Sequence, residues 1–110
     1  MVSYSVIATE PFERKLKRLA KKYKSLRSDL TPVFEQLALQ PDLGTPIGHN
    51  CYKIRISIAS KGRGKSGGAR MITYVRVVKS TVYLMDIYDK SEQSTISESE
   101  LRYLIGLMAK

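Results

Sequence analysis

Apolar and polar residues alternate at the start of the chain, Val2, Tyr4 and Val6 against Met1, Ser3 and Ser5, and this period of two predicts a short strand with one buried face. The period then lengthens. Phe12, Leu16, Leu19, Ala20 and Tyr23 fall at helical spacing, with Arg14, Lys15, Lys17, Arg18, Lys21 and Lys22 on the remaining faces. Thr9 offers the oxygen that caps a helix start, and Pro11 suits a first turn, where an N–H has no intrahelical partner. Leu26, Leu30, Val33, Phe34, Leu37 and Ala38 make a second helical stripe. Proline costs about 3 kcal/mol in a helix interior, so Pro32 predicts a start near Ser28 or Asp29 that leaves it in the first turn. Pro41, Asp42, Leu43 and Gly44 end this helix, and the stretch to Asn50, with Pro46 and Gly48, reads as loop.

From Tyr52 to Ile58 the alternation returns, with Tyr52, Ile54, Ile56 and Ile58 on one face and Lys53, Arg55 and Ser57 on the other. A core-facing strand thus displays a basic row. Ala59 to Gly68 holds four glycines, three basic residues and no large apolar side chain, as an exposed loop would. Met71 to Val78 and Val82 to Tyr88 are apolar at both parities, which predicts strands covered on both faces, joined by a turn at Lys79, Ser80 and Thr81. Ser97 and Glu100 form a capping box before Leu101, Leu104, Ile105 and Met108, the stripe of a last helix. The predicted fold is α+β, in the order β-α-α-β-β-β-α. A small antiparallel-rich sheet carries an N-terminal helical hairpin and a C-terminal helix. The 110 residues have room for one domain, 1–110, with no repeat or linker.

Charge sharpens this picture. The net charge of +9 is unevenly spread: residues 1–30 carry eight basic and three acidic side chains, and residues 51–80 carry eight basic and none acidic. No acid occurs between Asp42 and Asp86, so an anionic partner is implied. On the first helix the charge run reads equally as a solvated face or as a surface that holds RNA or an acidic protein. No apolar run reaches the roughly 20 residues of a bilayer span, which excludes a transmembrane helix. Met1 to Ile7 lacks the pattern of a secretory signal, and Cys51 alone cannot form an internal disulfide, so the expected location is the cytoplasm.

Ala59 to Ser66 reads A-S-K-G-R-G-K-S, close to a phosphate-loop pattern, and Val82 to Asp86 resembles the apolar run whose Asp would hold magnesium. A phosphate loop must open a helix whose N-terminus cradles the phosphates, whereas here Gly67, Gly68, Ala69 and Arg70 lead into a strand. A nucleotide site is rejected on that ground. The only histidine, His49, stands in a loop without a metal-ligand pattern, so no metal or other cofactor is expected, and Cys51 beside an apolar strand reads as a packed residue.

Tyr52-Lys53-Ile54-Arg55-Ile56, the glycine-rich basic stretch through Arg70 and the strand after it resemble toxins of the RelE/ParE superfamily, particularly its RelE/HigB-like branch. Ile87 to Glu92 and Ile96 to Leu101 look like that branch's last strand and closing helix. The resemblance implies a ribosome-dependent mRNA endonuclease, with mRNA and the ribosome as partners and a cognate antitoxin as inhibitor. It implies no membrane and no small-molecule cofactor. Carried over by position, it implies catalytic roles for Lys53, Arg55, Arg70, Lys90 and Tyr88. Arg55 and Arg70 would grip the scissile phosphate, Lys53 would transfer a proton, and Tyr88 would stack on a base or donate a proton. Lys61, Arg63 and Lys65 would hold the RNA backbone. Well-known members carry a tyrosine near the start of the last helix, where Ile96 or Ser97 stands here. A gyrase inhibitor of the ParE kind and a non-catalytic RNA-binding module remain alternatives on the same fold.

Overall fold

Among the described residues, five strands build one sheet in which the last strand in sequence lies beside the first. The structure, a computed structural model, describes residues 3–61 and 67–108. In chain order the elements are β1 (Ser5–Ala8), α1 (Glu10–Lys22), α2 (Leu26–Leu39), β2 (Thr45–Gly48), β3 (Cys51–Ile56), β4 (Ala69–Arg76), β5 (Thr81–Asp89) and α3 (Glu98–Met108). The order across the sheet is β1-β5-β4-β3-β2, with β1 parallel to β5 and every other neighbouring pair antiparallel.

The two parities of the central strands explain the layers. Ile54 and Ile56 of β3, Met71 of β4 and Leu84 and Ile87 of β5 pack with Phe12, Leu16, Leu19, Leu26, Leu30 and Leu37, so the α1–α2 hairpin covers one face. Cys51, Ile72, Met85 and Tyr88 pack with Leu101 and Leu104, so α3 covers the other. The predicted caps hold both outer helices. Thr9 Oγ1 accepts from the Phe12 N–H at 3.4 Å while donating to the Leu84 carbonyl at 2.8 Å, and Ser97 Oγ accepts from the Glu100 N–H at 3.1 Å. The Glu100 carboxylate turns instead toward Lys15, 3.6 Å away.

Four boundaries differ from the sequence reading. The first strand is Ser5–Ala8, with Tyr4, Val6 and Ala8 half-buried against the core; Met1 and Val2 lie outside the described residues. Helix α2 starts at Leu26, which places Pro32 inside it. Pro32 and Ser28, whose carbonyl loses its helical donor, are both exposed, so water can satisfy that oxygen, and the full burial of Leu26, Leu30 and Leu37 offsets the cost. The expected loop before Asn50 contains β2, an edge strand with a bulge between Pro46 and Gly48, and edges tolerate a proline that cannot donate. β4 ends at Arg76, after which residues 77–79 form a helical turn closed by Ser80 at φ 47°, leaving Val78 89% exposed.

Candidate phosphate-binding site

Strand register brings the predicted basic residues together. Arg55 of β3 lies directly opposite Arg70 of β4, and Arg70 lies opposite Tyr88 of β5, so the three form one row across the sheet on the α3 face. Directly opposed residues have Cβ atoms about 5 Å apart, within reach of one phosphate for two guanidinium groups. Lys53, two residues before Arg55, shares this face and borders a cavity of about 110 Å³ whose other walls include Thr95, Ile96 and Ser97. Lys90 follows the end of β5.

The environments within this group differ. Arg55 is exposed and Lys53 half-buried, and among the described residues neither side chain has an ion-pair or hydrogen-bond partner. Arg70 is only 5% exposed, and its Nη1 donates to the Ala69 carbonyl at 3.1 Å. Lys90 Nζ donates to the Ser94 carbonyl at 3.1 Å, and its backbone N–H donates to the Gly68 carbonyl at 3.0 Å. A Cβ on Gly68 would run into the Ile56 carbonyl, so only glycine lets the chain enter β4 this close to β3. Tyr88 is buried in the core beneath α3. Burial pushes its phenol pKa up, against the pull of Thr95 and of the Arg70 charge, so at neutral pH the hydroxyl is a donor and not a base.

Lys61 is placed otherwise than the sequence suggested. Its ammonium, 10% exposed, meets the fully buried Asp89 carboxylate at 2.7 Å. Asp89 also accepts from the Tyr23 hydroxyl at 2.6 Å and from Ser91 Oγ at 2.7 Å and N–H at 2.9 Å, with Lys22 Nζ 3.6 Å away. Burial opposes ionisation of Asp89, but the hydrogen bonds from Lys61, Tyr23 and Ser91 outweigh it and hold the carboxyl well below the usual range. Lys61 is therefore committed to a buried carboxylate rather than held out to solvent. Arg63 and Lys65 lie outside the described residues.

Sequence reasoning missed Asp89 and Asp86, although carboxylates inside an otherwise apolar strand signal buried pairing. Asp86, 1% exposed, meets Lys15 at 2.7 Å. His49, at φ 57°, shares a contact of 3.1 Å with Glu98, and this contact lowers the Glu98 pKa. Cys51 is buried, and desolvation pushes its thiol up to about 11, so it is a packed side chain and a poor nucleophile.

An α+β sheet with a helical hairpin on one face, a closing helix on the other and two arginines opposed across β3 and β4 defines a small basic protein with a face suited to phosphate. The chain belongs to the RelE toxin family of RelE/RelB toxin–antitoxin systems, whose family model matches residues 11–110. Solved structures agree in fold. A doubly substituted RelE toxin of E. coli in the free state matches with a TM-score of 0.65 and 19% identity, over 91% of this chain and 97% of that one. The RelBE2 toxin–antitoxin complex of Mycobacterium tuberculosis matches with a TM-score of 0.57 and 19% identity, over 81% and 93%. The intact RelBE complex of E. coli gives 0.51 and 19%, over 79% and 96%.

Proposed function

We propose that this RelE-family toxin is a ribosome-dependent mRNA endonuclease acting by metal-independent attack of a 2′-hydroxyl. The register of Arg55 against Arg70, on a face where Arg55 and Lys53 have no acidic partner among the described residues, carries the reading. The 2′-oxygen attacks the adjacent phosphorus, the P–O5′ bond breaks, and the products are a 2′,3′-cyclic phosphate and a free 5′-hydroxyl. One proton must leave the 2′-hydroxyl and one must reach the 5′-oxygen.

Arg55 and Arg70 bind the non-bridging oxygens and stabilise the charge added in the transition state. Lys53 and Lys90 serve as the proton-transfer groups, whereas Tyr88, expected from the sequence to stack on a base or donate a proton, is buried beside Arg70 beneath α3 and supports the row without touching the RNA. The ribosome holds the mRNA strand in line, which the small face of a 110-residue chain does not do alone. Related toxins form complexes with antitoxins, and we infer that a cognate antitoxin also binds and silences this chain in the cytoplasm.

The test is to map 5′ ends of cellular mRNA after brief expression of the wild type and of Arg55→Ala. Arg55 is exposed, so its removal leaves the fold intact. Cuts within translated frames that vanish in the variant are expected. Intact mRNA accompanied by DNA damage would overturn the proposal in favour of gyrase inhibition. Efficient cutting of naked RNA by the purified protein would remove the ribosome requirement.

A further inference from the structure

Consecutive residues 53–57 line one groove of about 740 Å³ whose opposite wall is α2. Successive side chains of a strand point to opposite faces, so a groove that meets all of them runs along the strand's edge. β2 pairs with β3 no further than Lys53, and among the described residues that edge is open beyond it. Two glycines give the backbone direction. Gly68, entering β4, lies against the Ile56 carbonyl, and Gly44, just before β2, lies against the Lys53 carbonyl. In an antiparallel ladder the N–H and C=O of one residue point to the same neighbour, and successive residues point to opposite ones. Ile56 therefore faces β4, while Arg55, two residues after Lys53, turns its peptide N–H and C=O into the groove, where β2 has ended. Asp29 of α2, half-buried, borders the same groove. Its Oδ2 accepts from Ser25 Oγ at 2.7 Å and from the Ala59 N–H at 3.1 Å, which fixes the carboxylate, and among the described residues Oδ1 has no partner.

We propose that this groove is a base-reading subsite, which takes a nucleobase flanking the scissile phosphate and selects bases that carry an exocyclic amino group. The inference rests on the mRNA-cleaving reading above and adds sequence choice to it. A nucleotide whose phosphate sits between Arg55 and Arg70 has its base one sugar away from the β3 edge. The groove lies in the size range of pockets that hold small ligands, and Val33 and Leu43 give it apolar walls for the faces of a base. It offers two acceptors, Asp29 Oδ1 and the Arg55 carbonyl, and one donor, the Arg55 N–H. Guanine, adenine and cytosine each bring two N–H bonds and an acceptor. Uracil brings one N–H between two oxygens, so it leaves an acceptor unmet and sets an oxygen against the carboxylate. A protein strand fits this edge less well, because only residues 54–56 of β3 are open on that side, against the roughly 5–6 residues of a common strand.

The test maps the cuts that the wild type and Asp29→Asn make in cellular mRNA and compares base frequencies on the two sides of the cut. Asparagine keeps the oxygen that Ser25 and Ala59 hold and puts an amide N–H at the free position, so the fold should stand, as circular dichroism checks. In the wild type, uracil should be depleted at least about fivefold at one flanking position, and in the variant it should return to its ordinary share. The same choice is read without cutting by titrating the Arg55 amide resonance with the 3′-monophosphates of cytidine and uridine, which share sugar and phosphate. The wild type should bind the cytidine nucleotide at least about fivefold more tightly, and Asp29→Asn should bind the two equally. Equal affinities in the wild type, or an unchanged ratio in the variant, would overturn the inference. So would Arg55 amide shifts produced by a short acidic peptide and by neither nucleotide, which would give the edge to a protein strand. A wild type that leaves mRNA uncut while still preferring the cytidine nucleotide would overturn the mRNA-cleaving reading and support the subsite.

Discussion

Replacing Asp89 by asparagine should destabilise the protein more than any surface change, because it leaves the Lys61 ammonium, 10% exposed, without its counter-charge. Asparagine keeps one oxygen, enough for the Ser91 donors on Oδ1, but its amide nitrogen replaces the Oδ2 that accepts from Tyr23, so the loss falls on the ion pair and on that one hydrogen bond. Breaking a buried pair from one side costs about 3–5 kcal/mol, a large share of the roughly 5–15 kcal/mol by which domains are stable. With a urea slope of about 1.5 kcal/mol per molar, the unfolding midpoint should fall by about 2–3 M. The double variant Asp89→Asn with Lys61→Met removes both charges and should recover at least half of the loss. The effect also has a pH signature. The folded pKa of Asp89 lies below its unfolded value of about 3.9, so its stabilisation is complete above that value and is lost as pH falls toward the folded pKa. Wild type and Asp89→Asn should therefore converge in stability below about pH 4 and differ most near neutrality. A penalty under about 1 kcal/mol at pH 7, or no recovery in the double variant, would refute the reasoning.

Other outcomes follow from the same geometry. Arg55→Lys keeps the charge but loses the two-pronged guanidinium, so cleavage should fall by at least about tenfold with unfolding unchanged, as read by primer extension and urea titration. Pro32→Ala should raise stability by about 1–3 kcal/mol, since it restores a donor for the exposed Ser28 carbonyl; an unchanged urea midpoint would contradict this. Cys51, with its thiol pushed up to about 11, should resist iodoacetamide at pH 8 in the native protein and react promptly once unfolded.

The sequence shows well what repeats locally. Alternation at Lys53 and Arg55 placed both on a strand face, and the switch to helical spacing marked α1 and α3. The caps at Thr9 and Ser97 are short-range signals of the same kind. What it hides depends on distant partners. β2 carries Pro46 and Gly48, residues of loops, and becomes a strand only because β3 offers it an edge. Pro32 is tolerated inside α2 because three leucines of that helix are fully buried by a sheet whose position no local pattern reveals. Lys61 looked like its neighbours in the basic loop, and only the 28 residues to Asp89, folded back on themselves, disclose its different role. The pairing of Lys15 with Asp86 and of Lys22 with Glu92 depends in the same way on acids about 70 residues further along.

Strand order has a consequence for timing. β5 is the last strand to be synthesised, yet it lies between β1 and β4, and its Tyr88 completes the row that Arg55 and Arg70 begin. Until residues 81–89 have left the ribosome, β1 has no neighbour to pair with and Asp89 is absent from its hub with Lys61 and Tyr23. An unfinished chain is thus without the completed row of Arg55, Arg70 and Tyr88. Under the proposed function, a protein that acts on the machinery making it would gain its site only once its last strand has emerged.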